Sequence, residues 1–114
     1  MPAERERLER LERDRAELTT RVRTLQHSFD EMVAASRDSN ADDEHDPEGA
    51  TIAFERSQVA TLVREGEQHL VDIDDALARL DAGSYGTCER CGSPIPEGRL
   101  EARPTTRHCV GCAA

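Results

Sequence analysis

The sequence has no lysine and no tryptophan: all fifteen basic residues are arginine, and aromatic side chains make up 3% of its 114 positions. So few large apolar groups exclude a thick globular core. They suit one small domain, or a long helical element with a small appendage. Long hydrophobic runs are also missing. The opening stretch MPAERERLER has no apolar segment, so neither a secretion signal nor a membrane span is expected, and the cytoplasm is the expected compartment. No phosphate-cradling loop and no nucleophile–base pair is evident, which argues against an enzyme.

A basic excess is absent as well, since 24 acids outweigh 15 arginines to leave a net charge of −9. The imbalance is local. Residues 1–37 hold eight Arg and eight acids, net 0; residues 38–87 hold three Arg and thirteen acids, net −10; residues 88–114 hold four Arg and three acids, net +1. So acidic a centre is a poor surface for phosphate backbones, and no direct, specific nucleic-acid contact is expected.

What is present is a pair of heptad stripes. Leu8, Leu11, Leu18, Val22, Leu25, Phe29 and Met32 alternate at three- and four-residue spacing, with Arg15 interrupting and Ser36 next in line. Ile52, Val59, Val63, Leu70, Ile73, Leu77 and Leu80 repeat the pattern, with Arg56 and Gly66 in the two non-apolar slots. Narrow stripes flanked by charge are coiled-coil seams. An antiparallel hairpin requires facing positions whose numbers add to a constant. Pairing 8 with 80, 11 with 77, 18 with 70, 25 with 63, 29 with 59 and 36 with 52 gives 88 each time. The same register sets Arg15 against Ile73, Val22 against Gly66 and Met32 against Arg56. Its midpoint is residue 44, inside the run DDEHDPEG at 42–49.

The expected fold is therefore mainly α. Residues 1–83 form a long antiparallel coiled-coil hairpin with an acidic tip near 39–49, and residues 84–114 form a small four-cysteine module. Pro47 and Gly49 suit the turn and the first turn of the second helix. The competing arrangement is a dimerising coiled coil with an acidic linker. The shared register favours a hairpin within one chain, so a monomer is expected.

Cys88 and Cys91 form one C-x-x-C pair and Cys109 and Cys112 a second, with seventeen residues between them. Two close thiolate pairs suit one tetrahedral, structural Zn2+ per chain, and four cysteine ligands leave no open coordination position for catalysis. A disulfide switch is the alternative. Gly92 and Gly111 would allow tight turns beside the sulfurs, and Pro94, Pro96 and Pro104 should make the intervening loop stiff and poorly helical. With only Ile95, Leu100 and Val110 as apolar support, the module should need its metal to fold. The acidic run itself lacks the spaced Asp and Gly of a calcium loop.

The stretch SYGTCERCGSPIPEGRLEARPTTRHCVGC resembles the zinc-finger signature of the DksA/TraR family of bacterial transcription regulators. The likeness rests on Tyr85-Gly86, both cysteine pairs, Gly92, Ile95 and the run Arg99-Leu100-Glu101-Ala102-Arg103-Pro104. With the preceding hairpin it covers about residues 40–112. It implies a factor that binds bacterial RNA polymerase rather than promoter DNA. The coiled coil would enter the secondary channel, and its acidic tip would approach the catalytic centre. The family's tip commonly reads Asp-Pro-x-Asp-x-Ala. Here Asp46-Pro47 begins it with Gly49 at the second Asp; in a shifted frame Asp43 and Asp46 supply both acids, with Glu48 at the alanine position. Asp43 and Asp46 are the tip residues expected to act, with Asp42 and Glu44 in reserve. Arg99 and Arg103 are candidate contacts to polymerase or to the alarmone ppGpp. Asp72 stands where a lysine is expected and Ala113 follows the last cysteine, so dependence on ppGpp should be weak or absent. The alternative function is a zinc-capped coiled-coil adaptor that does not act on polymerase.

Overall fold

Helix α1 spans Pro2–Ser39 and α2 spans Pro47–Ala82, 38 and 36 residues respectively, in a computed structural model that describes residues 2–39 and 47–113. Both begin on proline, whose missing N–H is one of the unsatisfied donors of a first helical turn in any case. Between Ala3 and Ser39 there is no glycine or proline, and the segment is dense in Glu, Arg, Leu and Ala, all strong helix formers. Two short elements follow: α3, Glu97–Ala102, and a 3₁₀ turn η1, Val110–Cys112. No strand occurs among the described residues, only an isolated antiparallel bridge between Thr87 and Pro94. The expected turn and the tip acids Asp42, Asp43, Glu44 and Asp46 lie outside the described residues.

The chain divides into two compact units, Met1–Arg15 with Leu70–Ala114, and Ala16–His69. Each takes part of both long helices, and the boundary therefore runs across the helices.

In the Ala16–His69 unit, α1 and α2 pack antiparallel in the register the stripes specify. A Cβ built on Gly66 would lie 2.6 Å from Val22 Cγ2 and 3.9 Å from Leu18 Cδ1. Further along, Gln26, Phe29 and Asp30 of α1 border the same surface depression as Ala60 and Val63 of α2. As the numbers rise on one helix they fall on the other. Val22 and Gly66 are buried here, while Leu18, Leu25, Phe29, Met32, Val59 and Val63 are half-buried. Two helices alone can shield a seam only from one side, so partial burial is what a narrow stripe gives. Ile52 is exposed.

In the unit that carries the finger, Leu11, Ile73 and Ala76 are buried with Cys88, Ile95 and Leu100. Arg15, at the non-apolar slot of the first stripe, turns out of the seam. Its Nε donates to Asp74 Oδ1 at 2.6 Å and its Nη2 to Oδ2 at 3.4 Å, beside buried Ile73. The Asp74 hydrogen bond raises the guanidinium pKa above its ordinary value. Among the described residues, no helix is long and apolar enough to cross a membrane.

Candidate metal centre

The first cysteine pair sits on a hairpin-like turn opened by the Thr87–Pro94 bridge. Cys88 N donates to Ser93 O and Gly92 N to Cys88 O, both at 2.9 Å, and Ile95 N reaches Gly86 O at 2.7 Å. Gly92 takes φ +74°, which a side chain would strain, so a glycine must follow Cys91 to close this turn. The second pair brackets η1, where Cys112 N donates to Cys109 O at 3.0 Å. Gly111 has no positive φ, so the second turn does not depend on glycine in the way the first does.

These two turns bring the sulfurs of Cys88, Cys91, Cys109 and Cys112 within 4.8 Å of one another, and Cys91 Sγ lies 3.8 Å from Cys109 Sγ. Sulfurs placed about 2.3 Å from one tetrahedral zinc would stand about 3.8 Å apart. The donor set and its spacing thus fit one Zn2+ in a closed, structural site. Cys88, Cys91, Cys109 and Cys112 would hold it, and the metal supplies a cross-link rather than chemistry. Without metal the thiols oppose one another. Backbone N–H groups of Cys109, and then of Cys91, lower Cys88 to about 6, whereas the hydrogen bond with Cys109 pushes Cys112 up to about 12. Four thiolates at these distances repel; a dication is what lets all four ionise together.

The segment between the pairs is less irregular than its prolines suggest. Pro96 caps α3, standing just before its first helical residue, so the helix runs to Ala102 without interruption, and Pro104 lies past its end. Leu100 projects from α3 into a small core with Cys88 and Ile95, against which Tyr85, Cys109 and Cys112 pack.

Arg99, also on α3, braces the approach to the second pair. Its Nε donates to His108 O at 2.8 Å and its Nη2 to Thr106 Oγ1 at 3.3 Å, while that hydroxyl donates to His108 O at 3.0 Å. Arg103, the other basic residue singled out in sequence, is exposed at the end of α3.

Several contacts around the finger carry no sequence signature. Arg107 pairs with Asp75 of α2 and lies 3.7 Å from Glu89. Arg79 Nη2 donates to Thr105 O at 3.3 Å, and its Nη1 is buried with no hydrogen-bond partner among the described residues. Burial, and next the neighbouring Arg107, lower the Arg79 pKa from its ordinary value. Tyr85 donates its hydroxyl to Pro104 O at 2.9 Å, and Arg7 of α1 lies 5.5 Å above its ring while pairing with Glu97 of α3. Burial pushes the Tyr85 hydroxyl up, and the Arg7 guanidinium holds the Glu97 carboxyl below the usual carboxylate range. Tyr85 belongs to the Tyr85-Gly86 pair on which the family resemblance rests, but that pair carries no sign of the hydrogen bond to Pro104 O or of the contact with Arg7.

Residues 83–114 match the model of the prokaryotic dksA/traR C4-type zinc finger. The structure of transcription factor DksA2 from Pseudomonas aeruginosa superposes with a TM-score of 0.78 at 27% identity, over 95% of this chain and 78% of that one. The chain belongs to the DksA/TraR family. Among DksA/TraR relatives, the RNA polymerase-binding transcription factor DksA of Caulobacter vibrioides is 50% identical over 48 residues, 41% of this chain and 34% of that protein. The factor of the same description from Haemophilus influenzae is 32% identical over 91 residues, 79% of this chain and 57% of that protein. The chain therefore spans from a third to somewhat over half the length of these two. The DksA/TraR finger is consistent with one structural zinc held by the four clustered cysteines.

Proposed function

We propose that this protein is a non-catalytic regulator of transcription that binds bacterial RNA polymerase in the cytoplasm, as a monomer and without sequence-specific DNA contact. In this reading residues 1–83 act as the inserting hairpin and 84–114 as the finger. The hairpin enters the secondary channel, and the acidic tip near 39–49 approaches the catalytic centre. The observation that supports it is the likeness to DksA2 over 95% of the chain, which includes both long helices as well as the finger. Two relatives matched in sequence are described as RNA polymerase-binding. The closed thiolate site agrees with a part that holds shape and does no chemistry.

Carboxylates at such a tip would act on the magnesium ions and cationic side chains of a nucleotidyl-transfer centre, which a basic tip would repel. Asp43 and Asp46 carry that role, with Asp42 and Glu44 adding to the local field. Arg103, exposed beyond α3, is available for a polymerase contact; Arg99 would contribute through the finger it braces.

The test is co-purification with core polymerase, followed by an initiation assay with the double variant Asp43→Asn, Asp46→Asn. Binding should persist while the regulatory effect is lost. Transcription effects that survive both changes would refute the tip mechanism. Failure of the unaltered chain to bind polymerase would favour the adaptor reading instead.

A further inference from the structure

Arg7 lies in the first turns of α1, some eighty residues from the finger in sequence, yet it touches the finger in two ways. Its guanidinium stacks 5.5 Å over the Tyr85 ring and pairs with Glu97 on α3. Both partners are held in place by the metal-dependent part of the fold. Tyr85 packs on the cluster of Cys88, Ile95 and Leu100, and Cys109 and Cys112 pack against the same cluster, so three of the four ligand residues are in or against the core that supports it. Its hydroxyl is tied to Pro104 O at 2.9 Å, on the loop that leads to the second cysteine pair. Glu97 starts α3, whose only buried residue, Leu100, belongs to the same cluster.

That cluster has three buried side chains, one of them a ligand. So small a core does not fold unaided, and the free energy of metal binding is what forms it. When the thiolates lose their metal, the floor under Tyr85 and the placement of α3 are lost together, and Arg7 loses both partners at once. On the α1 side little else holds the first two turns. Residues 3–6 are exposed, as is Leu8, and the first buried seam residue is Leu11.

We propose that Arg7 is a zinc-dependent latch: through Tyr85 and Glu97 it fastens the start of α1 to the finger only while the four cysteines hold their metal. The finger then reports its metal state to the N-terminal helix. Reciprocity follows, because a contact that exists only in the metal-bound finger must strengthen metal binding by the same factor by which metal strengthens the contact. A stacked and paired arginine at a partly exposed site is worth about a fivefold effect on each side. The latch rests on the metal centre and is independent of polymerase binding, so its test and the polymerase test can fail separately.

The experiment is hydrogen–deuterium exchange of the full chain, zinc-loaded and chelator-stripped, compared with Arg7→Ala and Glu97→Gln. Stripping should raise exchange across residues 6–13. Arg7→Ala, still binding one equivalent of zinc, should show faster exchange over the same residues, with residues 18–36 unchanged. Its zinc affinity, read by competition with a colorimetric chelator, should fall about fivefold; Glu97→Gln should fall between it and the unaltered protein. If stripping melts both long helices together, the loaded Arg7→Ala protein decides the matter: exchange confined to 6–13 supports the latch. Unchanged protection at 6–13 in loaded Arg7→Ala, or an unchanged zinc affinity, would overturn it.

Discussion

Arg99 and Cys109 never touch in sequence, yet the arginine fixes the carbonyl that immediately precedes the ligand. Three hydrogen bonds converge on the 106–108 segment: Arg99 to His108 O, Arg99 to Thr106 Oγ1, and Thr106 Oγ1 to His108 O. The planar fork of a guanidinium can serve two acceptors at once, and an ammonium cannot reproduce that geometry. Arg99→Ala should therefore weaken zinc binding by about tenfold, the usual scale for a partner that orients a ligand. Arg99→Lys should restore little of it. Competition titration with a chelator reads the loss, and an Arg99→Ala finger that holds zinc as tightly as before would show that the brace is idle. The spacing of Cys88, Cys91, Cys109 and Cys112 is legible because metal geometry constrains residue identity at fixed separations. The role of Arg99 is not, because its main partner is a backbone oxygen, which every residue possesses.

At the scale of the helices, the apolar stripes were sufficient to set the register, since a slip would move whole rows of Leu and Val out of the seam. The exceptions carry the finer information. Gly66 stands in an apolar slot because Val22 already fills the space its side chain would need, with the 2.6 Å approach to Cγ2 as the measure. Valine has one strongly preferred rotamer in a helix and cannot easily swing aside. Gly66→Ala thus sets two effects against each other: a gain of about 1 kcal/mol in helix propensity and an overpacking cost of about 1–3 kcal/mol. The clash should win by about 1 kcal/mol, seen as a lower urea midpoint with unchanged slope. Val22→Ala combined with Gly66→Ala should recover more than the sum of the single changes allows, a coupling that a double-mutant cycle isolates. A raised midpoint for Gly66→Ala alone would mean the helices can separate at no cost. Arg15 is the complementary exception: a charged residue in a seam slot is tolerated because Asp74 lies within reach on the neighbouring helix. The short helix α3 was hidden by its prolines. Three prolines in the span from Pro94 to Pro104 read as helix breakers, but Pro96 precedes the first turn and Pro104 follows the last, where neither breaks anything.

The distribution of charge over the whole molecule decides which anions it can meet. Residues 38–87 carry three Arg against thirteen acids, net −10, so the only basic surplus is the net +1 of residues 88–114. Even that surplus is largely committed within the fold. Arg99 binds His108 O, Arg107 binds Asp75, and Arg90 Nη1 lies 3.4 Å from Cys112 O. Of the four finger arginines these three are engaged within the fold, Arg90 and Arg99 inside the finger and Arg107 with Asp75 of α2, and Asp72 of α2 adds a negative charge where the family resemblance would place a lysine. A polyanion would have to break those bonds and overcome repulsion from the acidic segment, which at about 0.15 M salt is screened beyond about 8 Å but not within it. Neither duplex DNA nor ppGpp should therefore bind the isolated protein strongly. Mobility-shift titrations at about 0.1 M salt should give no discrete DNA complex, and ppGpp should add little to the effect of the protein in an initiation assay. Strong synergy with ppGpp would show that Arg103 and its surroundings suffice for an alarmone site despite Asp72. A salt-sensitive DNA complex would instead require the finger arginines to exchange their internal partners for phosphates, and Arg107→Ala would then weaken it.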